Sequence, residues 1–187
     1  MAGRLDGKRI AILATDGVEQ VELTGPRDAV TAEGARTEIV SVSGGRIQAM
    51  NSDIEPADTF EVDVTAAEAS AGDYDALLMP GGTVNADKLR VDEDVRAFVQ
   101  GIFREGKPVG MICHAPWTLI DAGLAEGRTL TAFPSVWTDL RNAGATVVDE
   151  EVVTDEGLVS SRSPKDLEAF CAKVLEEFAE GRHTART

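Results

Sequence analysis

The sequence predicts an α/β domain whose mainly parallel sheet is covered by helices on both faces. Short apolar runs recur, among them KRIAILA, RTEIVSV, DYDALLM and PVGMI, the first rich in β-branched residues. They alternate with stretches whose apolar residues recur at helical spacing, and turn signals such as TDG, PGG and CHAP follow the runs. Strands that are apolar on both faces, separated by amphipathic helices, are the mark of a parallel sheet buried between helical layers.

Taken in order, Lys8 to Ala14 is a buried first strand ending at the turn TDG. From Glu19 to Glu33, Val21, Leu23, Ala29 and Val30 allow a helix with Pro26 early in it, closed by EGA. RTEIVSV is the second strand, and the turn-rich segment from Gly44 to Val64 is a hairpin or an irregular excursion. Asp75 to Met79 is a third strand and Pro80-Gly81-Gly82 a loop. VDEDVRAFVQGIFREG is helical, with Val91, Val95, Phe98, Val99 and Ile102-Phe103 on one face and acids in its first turn. PVGMI is a further strand, and APWTLIDAG and SVWTDLRNAG are helices. TVVDEEVVTDEGLVSS is strand material turning at DEG. The strongest helix is SPKDLEAFCAKVLEEFAEG, capped by Ser163, with Pro164 first and Gly181 at its end. Cys171 lies on its apolar face, where a packed core thiol is expected. RHTART beyond Gly181 is a polar, frayed tail, so the whole 1–187 chain is expected as one domain with its core at about 8–180.

Composition narrows the function. A chain of 187 residues can bury a sizeable core without disulfides or metals, and two cysteines cannot make a disulfide framework or a zinc set. That favours a reducing compartment, and no metal or cofactor is expected. The formal net charge of −15, with no basic stripe, argues against nucleic-acid binding. No signal-peptide pattern or membrane-length apolar run is present, so a soluble, cytoplasmic protein is expected.

GKPVGMICHAPW holds the chemistry. Cys113 falls between a buried strand and a helix start, the strand–turn–helix joint of a nucleophile elbow, where helix N–H groups favour a thiolate. Apolar neighbours equally suit a packed thiol. His114 is the only histidine outside the tail; it serves either as acid/base or only through its backbone N–H. Glu19, in DGVEQVEL, is the carboxylate placed at the same sheet edge, either as an ordinary first-turn acid or as a partner sharing a proton with the thiol. The Gly82 and His114 N–H groups could form an oxyanion hole, with Gly81 letting the backbone approach; the alternative is a plain turn.

Together DGVEQVEL, DALLMPGG, GKPVGMICHAPW and VVTDEGLVSSRSPKDLEAF resemble the PfpI (intracellular protease I) family. That family belongs to the superfamily of the Parkinsonism-associated deglycase and class I glutamine amidotransferases. The resemblance runs from about Lys8 to Glu180. It implies a flavodoxin-like three-layer sandwich with Cys113 as nucleophile, Glu19 as the carboxylate beside it and His114 as the histidine that follows. It also implies a homo-oligomer, dimer or higher, in which an acid from a neighbouring subunit completes a triad. Asp87 takes that place by an alignment one residue longer than the pattern. Ala115 stands where many members carry glycine, and Trp117 flanks the elbow; with Gly81 they are the expected pocket residues.

The activities that the resemblance implies are peptidase, cofactor-independent glyoxalase, deglycase and stress-protective chaperone. The residues favour cysteine chemistry on a small reactive carbonyl or a glycated substrate. An oligomer-completed peptidase is the alternative within enzymes, and a redox-sensing stress protein the alternative outside them. Glutamine amidotransferase fits worse, because no late histidine precedes the tail.

Overall fold

The computed structural model describes residues 3–183. β1 (Arg9–Leu13) alternates Ile10 and Ile12 on one face with Ala11 and Leu13 on the other, and all four are buried. Gly17, at φ +90°, turns the chain into the two-residue strand β2 (Val18–Glu19) and then into α1 (Gln20–Ala32). β3 (Arg36–Ser41) pairs in parallel with β1 from Arg9↔Arg36 to Leu13↔Val40. The turn-rich segment is a hairpin, β4 (Arg46–Asn51) and β5 (Glu55–Glu61), which leaves the sheet before β6 (Val64–Thr65) returns beside β3.

β7 (Ala76–Met79) leads through Pro-Gly-Gly into α2 (Thr83–Val91) and α3 (Glu93–Arg104). The helix expected from Val91 is therefore two helices. Val91 is the exposed last residue of α2, and Asp92 breaks the run by adopting extended backbone and accepting the Val95 N–H at 2.9 Å. This is an N-cap, and it satisfies one of the orphan donors at the helix start.

β8 (Val109–Ile112) precedes the elbow and the short α4 (Trp117–Asp121). β9 (Thr129–Leu130), α5 (Trp137–Asn142) and β10 (Thr146–Val147) form a small flap of structure. β11 (Val153–Asp155) and β12 (Leu158–Ser161) turn at Glu156-Gly157, both at positive φ. α6 (Leu167–Glu180) begins three residues later than expected: Pro164 opens a single 3-10 turn and the Ser163 side chain makes no capping bond.

The main sheet has the order β11-β12-β8-β7-β1-β3-β6, parallel except for the β11–β12 hairpin. One face packs Ala11, Leu13, Leu77 and Met79 against Phe98, Ile102 and Leu119 of α3 and α4. The other packs Ile10, Ile12, Leu78 and Ile112 against Leu23, Val30, Phe170 and Val174 of α1 and α6. This is the expected three-layer flavodoxin-like sandwich. Cys171 is half-buried and packs against the second cluster.

β1, β7 and β8 are neighbours in the middle of the sheet. The loops at their carboxyl ends, separated by many residues in sequence, therefore meet in one crevice, where ligands bind in folds of this class.

Candidate active site

Cys113 follows β8 with φ +64°, a left-handed conformation that a non-glycine residue adopts only when its surroundings impose it. Two backbone bonds hold it there. Its N–H donates to the Ser161 carbonyl at 3.0 Å, and its own carbonyl accepts the Phe133 N–H at 2.9 Å. The elbow is thus pinned from β12 on one side and from the segment before α5 on the other. The sulfur accepts the backbone N–H groups of Gly82 and His114, the two donors expected to form an oxyanion hole.

The carboxyl that interacts with the sulfur is that of Glu22, not Glu19. Glu19 ends β2 and is the extended residue from which α1 departs, so its side chain turns toward the hairpin. Its two oxygens accept the N–H groups of Ser52 and Asp53 at 2.9 and 3.0 Å. Glu22 stands one turn further on, beside Leu23 and one turn before Pro26 on the buried face of α1. Its Oε2 accepts the Gly81 N–H at 2.9 Å, while Oε1 is buried without a hydrogen-bond partner. A readable signal existed: Val21 is exposed, so the apolar face of α1 runs through Leu23, Pro26 and Val30, and a glutamate on that face stands out.

Burial, with the nearby Glu19 charge, pushes the Glu22 carboxyl up to about 8 against the weaker opposing effect of the Gly81 N–H. Burial also pushes the Cys113 thiol up, and the charge of Glu22 adds to the rise, against the Gly82 and His114 donors. The low-pKa thiol expected of a helix N-terminus is not what the fold provides, because Cys113 is only 6% exposed and α4 starts four residues later. Protonating Glu22 removes the charge that adds to the thiol's rise. The two groups therefore titrate as a pair that holds at least one proton through the neutral range.

The His114 ring touches the elbow directly, with Nδ1 3.1 Å from the Cys113 sulfur. Burial lowers its pKa, so at pH 7 it is a neutral imidazole able to accept or donate a proton. It stacks on Phe133 at 4.7 Å between ring centroids and meets Trp117 edge-on at 5.3 Å. Its Nε2 lies 3.1 Å from Ser135 Oγ and 3.4 Å from Thr83 Oγ1.

The hairpin turn is stitched over this group. Ser52 and Asp53, both at positive φ, present their N–H groups to Glu19, and Asp53 in turn accepts the Thr83 N–H and hydroxyl at 2.8 and 2.9 Å. Asn85, fully buried, accepts the Thr15 N–H and donates to the Pro80 and Gly81 carbonyls, tying the loop after β1 to Pro-Gly-Gly. Gly81 is required by contact: a Cβ there would lie 2.4 Å from Glu22 Oε2 and 2.6 Å from Cys113 Cβ. The cavity that remains is about 270 Å³, lined by Glu19, Glu22, Ser52, Asp53, Gly82, Cys113, Phe133 and Pro164.

Several expected pocket residues stand elsewhere. Ala115 faces the core, its side chain packed in the cluster beneath α3 and α4. Trp117 supports His114 from behind, its Nε1 donating to Asp139 at 2.9 Å, and does not line the cavity. Gly81 acts through its N–H on Glu22 rather than as a wall. Asp87 is exposed on α2 and does not line the cavity of its own chain. Ser52, Asp53 and Phe133 come from segments that carry no chemical motif in sequence, and Pro164 from a helix start; only the folded chain brings them to the cavity and Ser135 to His114.

A strained cysteine carried on a parallel α/β sheet, with a buried acid at its sulfur, defines a cysteine-elbow protein. The chain belongs to the DJ-1/PfpI family, whose model matches residues 8–177. An uncharacterized protein of Staphylococcus haemolyticus is 39% identical over 174 residues, covering 91% of this chain and 97% of that one. A Bacillus subtilis protein named "putative cysteine protease YraA" is 37% identical, covering 90% and 96%. Among solved structures, the chain is similar to Drosophila melanogaster DJ-1beta, with a TM-score of 0.82 and 26% identity over 92% of this chain and 90% of that one. It is also similar to part of an Anabaena variabilis protein containing DJ-1/ThiJ/PfpI-like and ferritin-like domains, with a TM-score of 0.85 and 32% identity. That match covers 90% of this chain but only 47% of the two-domain protein.

Proposed function

We propose that the protein is a cysteine enzyme acting on small reactive carbonyls, of the glyoxalase or deglycase type, through Cys113 and Glu22. The observation that carries this reading is the buried Glu22 carboxyl, held by the Gly81 N–H beside Cys113 at the wall of a cavity of about 270 Å³. A three-carbon ketoaldehyde fits such a space, and a buried acid near neutrality can both give and take a proton.

With methylglyoxal, the sulfur adds to the aldehyde carbon and its proton reaches the carbonyl oxygen by way of Glu22, giving a hemithioacetal. The Gly82 and His114 N–H groups, already on the sulfur, stand where oxygen charge develops beside it. Glu22, as carboxylate when the pair holds a single proton, then takes the proton from the former aldehyde carbon and delivers it to the adjacent carbon. The hydroxyl proton meanwhile passes from the first oxygen to the second, which leaves a thioester. Water cleaves the resulting thioester, releasing lactate and restoring the thiol. His114 Nδ1 is placed to relay protons at the same sulfur. On this reading the substrate is a free or amine-linked small carbonyl. The homo-oligomeric assembly, the use of Asp87 across a subunit boundary and the cytoplasmic, stress-protective setting follow from the family resemblance and belong to the same proposal. No helix among the described residues is long and apolar enough to cross a membrane.

The test is lactate formation from methylglyoxal by the purified chain. Cys113→Ser abolishes it, and Glu22→Gln lowers kcat by about 10²–10⁴-fold. Turnover that survives Cys113→Ser overturns the reading.

A second reading, peptide hydrolysis, is favoured by the His114 Nδ1 contact with the sulfur and by the name of the B. subtilis relative. Release of fluorophore from a peptide substrate, lost in His114→Ala, would establish it; inertness toward peptides in every oligomeric state of the wild type removes it. A redox sensor is supported less, since the thiol is buried and its pKa is raised.

A further inference from the structure

At the end of the sheet away from Cys113, the chain leaves α6 at Gly181, φ +89°, and folds back on itself. The His183 N–H donates to the Gly106 carbonyl at 2.7 Å, just ahead of β8. Its ring lies over Gly157 in the β11–β12 turn so closely that a Cβ there would come within 2.5 Å of an imidazole carbon. This histidine, expected in a frayed tail, is held in place.

The fold brings its ring to the last turn of α6. Glu177, Glu180 and His183 each offer one ligand atom, and these atoms all lie within 4.8 Å of one another. Glu177 is more than nine-tenths buried, and its Oε2 stands 3.2 Å from His183 Nε2. Both atoms are shielded from solvent and neither makes a hydrogen bond. A buried carboxylate oxygen in that state is costly unless a cation meets it. Of the basic side chains around the site, Lys107 and Arg182 pair with Glu105 and Lys173 with Glu176, Lys8 Nζ comes close to Gly181, and the His183 imidazole stands against Glu177. The C-terminal end of α6 adds its own preference for positive charge.

We propose that Glu177, Glu180 and His183 bind a divalent transition-metal ion of the zinc type, clasping the end of α6 to the turns that precede β8 and β12. One imidazole and two carboxylates suit zinc rather than calcium or magnesium, with water completing the coordination. Tetrahedral bonds of about 2.0–2.2 Å place ligand atoms about 3.3 Å apart, a spacing that exposed Glu180 reaches by a side-chain rotation. The site lies outside the catalytic pocket, and the proposal stands or falls independently of the reaction at Cys113.

The test uses the untagged full chain in a Cys113→Ser/Cys171→Ser background, so that no thiol competes, stripped with chelator and titrated with Zn²⁺ against a chromophoric competitor. One equivalent binds per chain with micromolar or tighter affinity, and the melting temperature rises in zinc. Glu180→Gln and His183→Ala, neither of which lies in the core, each weaken binding at least tenfold. Less than one equivalent bound at 100 µM free Zn²⁺, or affinity unchanged in both variants, overturns the proposal.

Discussion

Glu22 joins stability to chemistry, because a buried acid with a pKa near 8 is neutral in the folded chain where it would be ionised in the unfolded one. Between its ordinary value of 4.5 and about 8 the folded form binds the extra proton, so this group's contribution falls as the pH rises through that window. The loss reaches at most about 5 kcal/mol by pH 8. The Cys113 thiol, whose pKa is also raised, acts in the same direction but only above its ordinary value of 9.0. Glu22→Gln keeps the shape and removes the titration. The wild-type melting temperature should therefore fall relative to that variant between pH 5 and 8; parallel curves would exclude a neutral Glu22. The sequence held two glutamates three residues apart, Glu19 and Glu22. Which one meets the sulfur depended on where β2 ends and α1 begins, a boundary of one or two residues that periodicity does not fix.

The hairpin β4–β5 is the element through which Glu19 acts. Its turn is fastened by Glu19 to the Ser52 and Asp53 N–H groups, and its strand by Gln20, which exchanges two hydrogen bonds with Asp58 at 2.7 and 2.9 Å. Glu19→Ala frees two N–H groups at a turn whose residues are partly open to water, so the element loosens without unfolding. Amide exchange at Ser52 and Asp53 should accelerate, and KM for methylglyoxal should rise several-fold with kcat within about threefold, whereas Glu22→Gln lowers kcat. A Glu19→Ala variant that loses kcat as Glu22→Gln does would return Glu19 to the chemistry. The helix pair α2–α3 offers a simpler check. Asp92→Ala removes the cap on Val95 and should cost about 1 kcal/mol in denaturant unfolding, with activity unchanged. The capping aspartate is visible in VDED, but periodicity alone carries it into the helix, because Val91 matches the apolar spacing of the residues beyond it.

For the whole molecule, the layered fold was legible because its strands are apolar on both faces and its helices on one, a pattern that survives without tertiary knowledge. The pocket was legible only where a strand ended in a motif. Phe133 comes from the segment after β9. Ser135 and Pro164 stand at helix starts that periodicity locates without showing that they reach the elbow, and the metal-binding proposal rests on a tail that folds back. Net charge is the other property of the whole chain. Thirty-three acids face eighteen basic residues, giving −15. Added salt weakens the exposed ion pairs, such as Arg4–Glu33 and Arg46–Glu61, which contribute little in water. It also screens repulsion among the excess acids, which act over distances comparable to a Debye length of about 10 Å at 0.1 M. Repulsion is the larger effect at this imbalance. The melting temperature at pH 7 should therefore rise by a few degrees between 20 and 300 mM NaCl, measured without divalent ions so that the clasp at His183 does not contribute. A fall over that range would mean that the surface pairs outweigh the net charge.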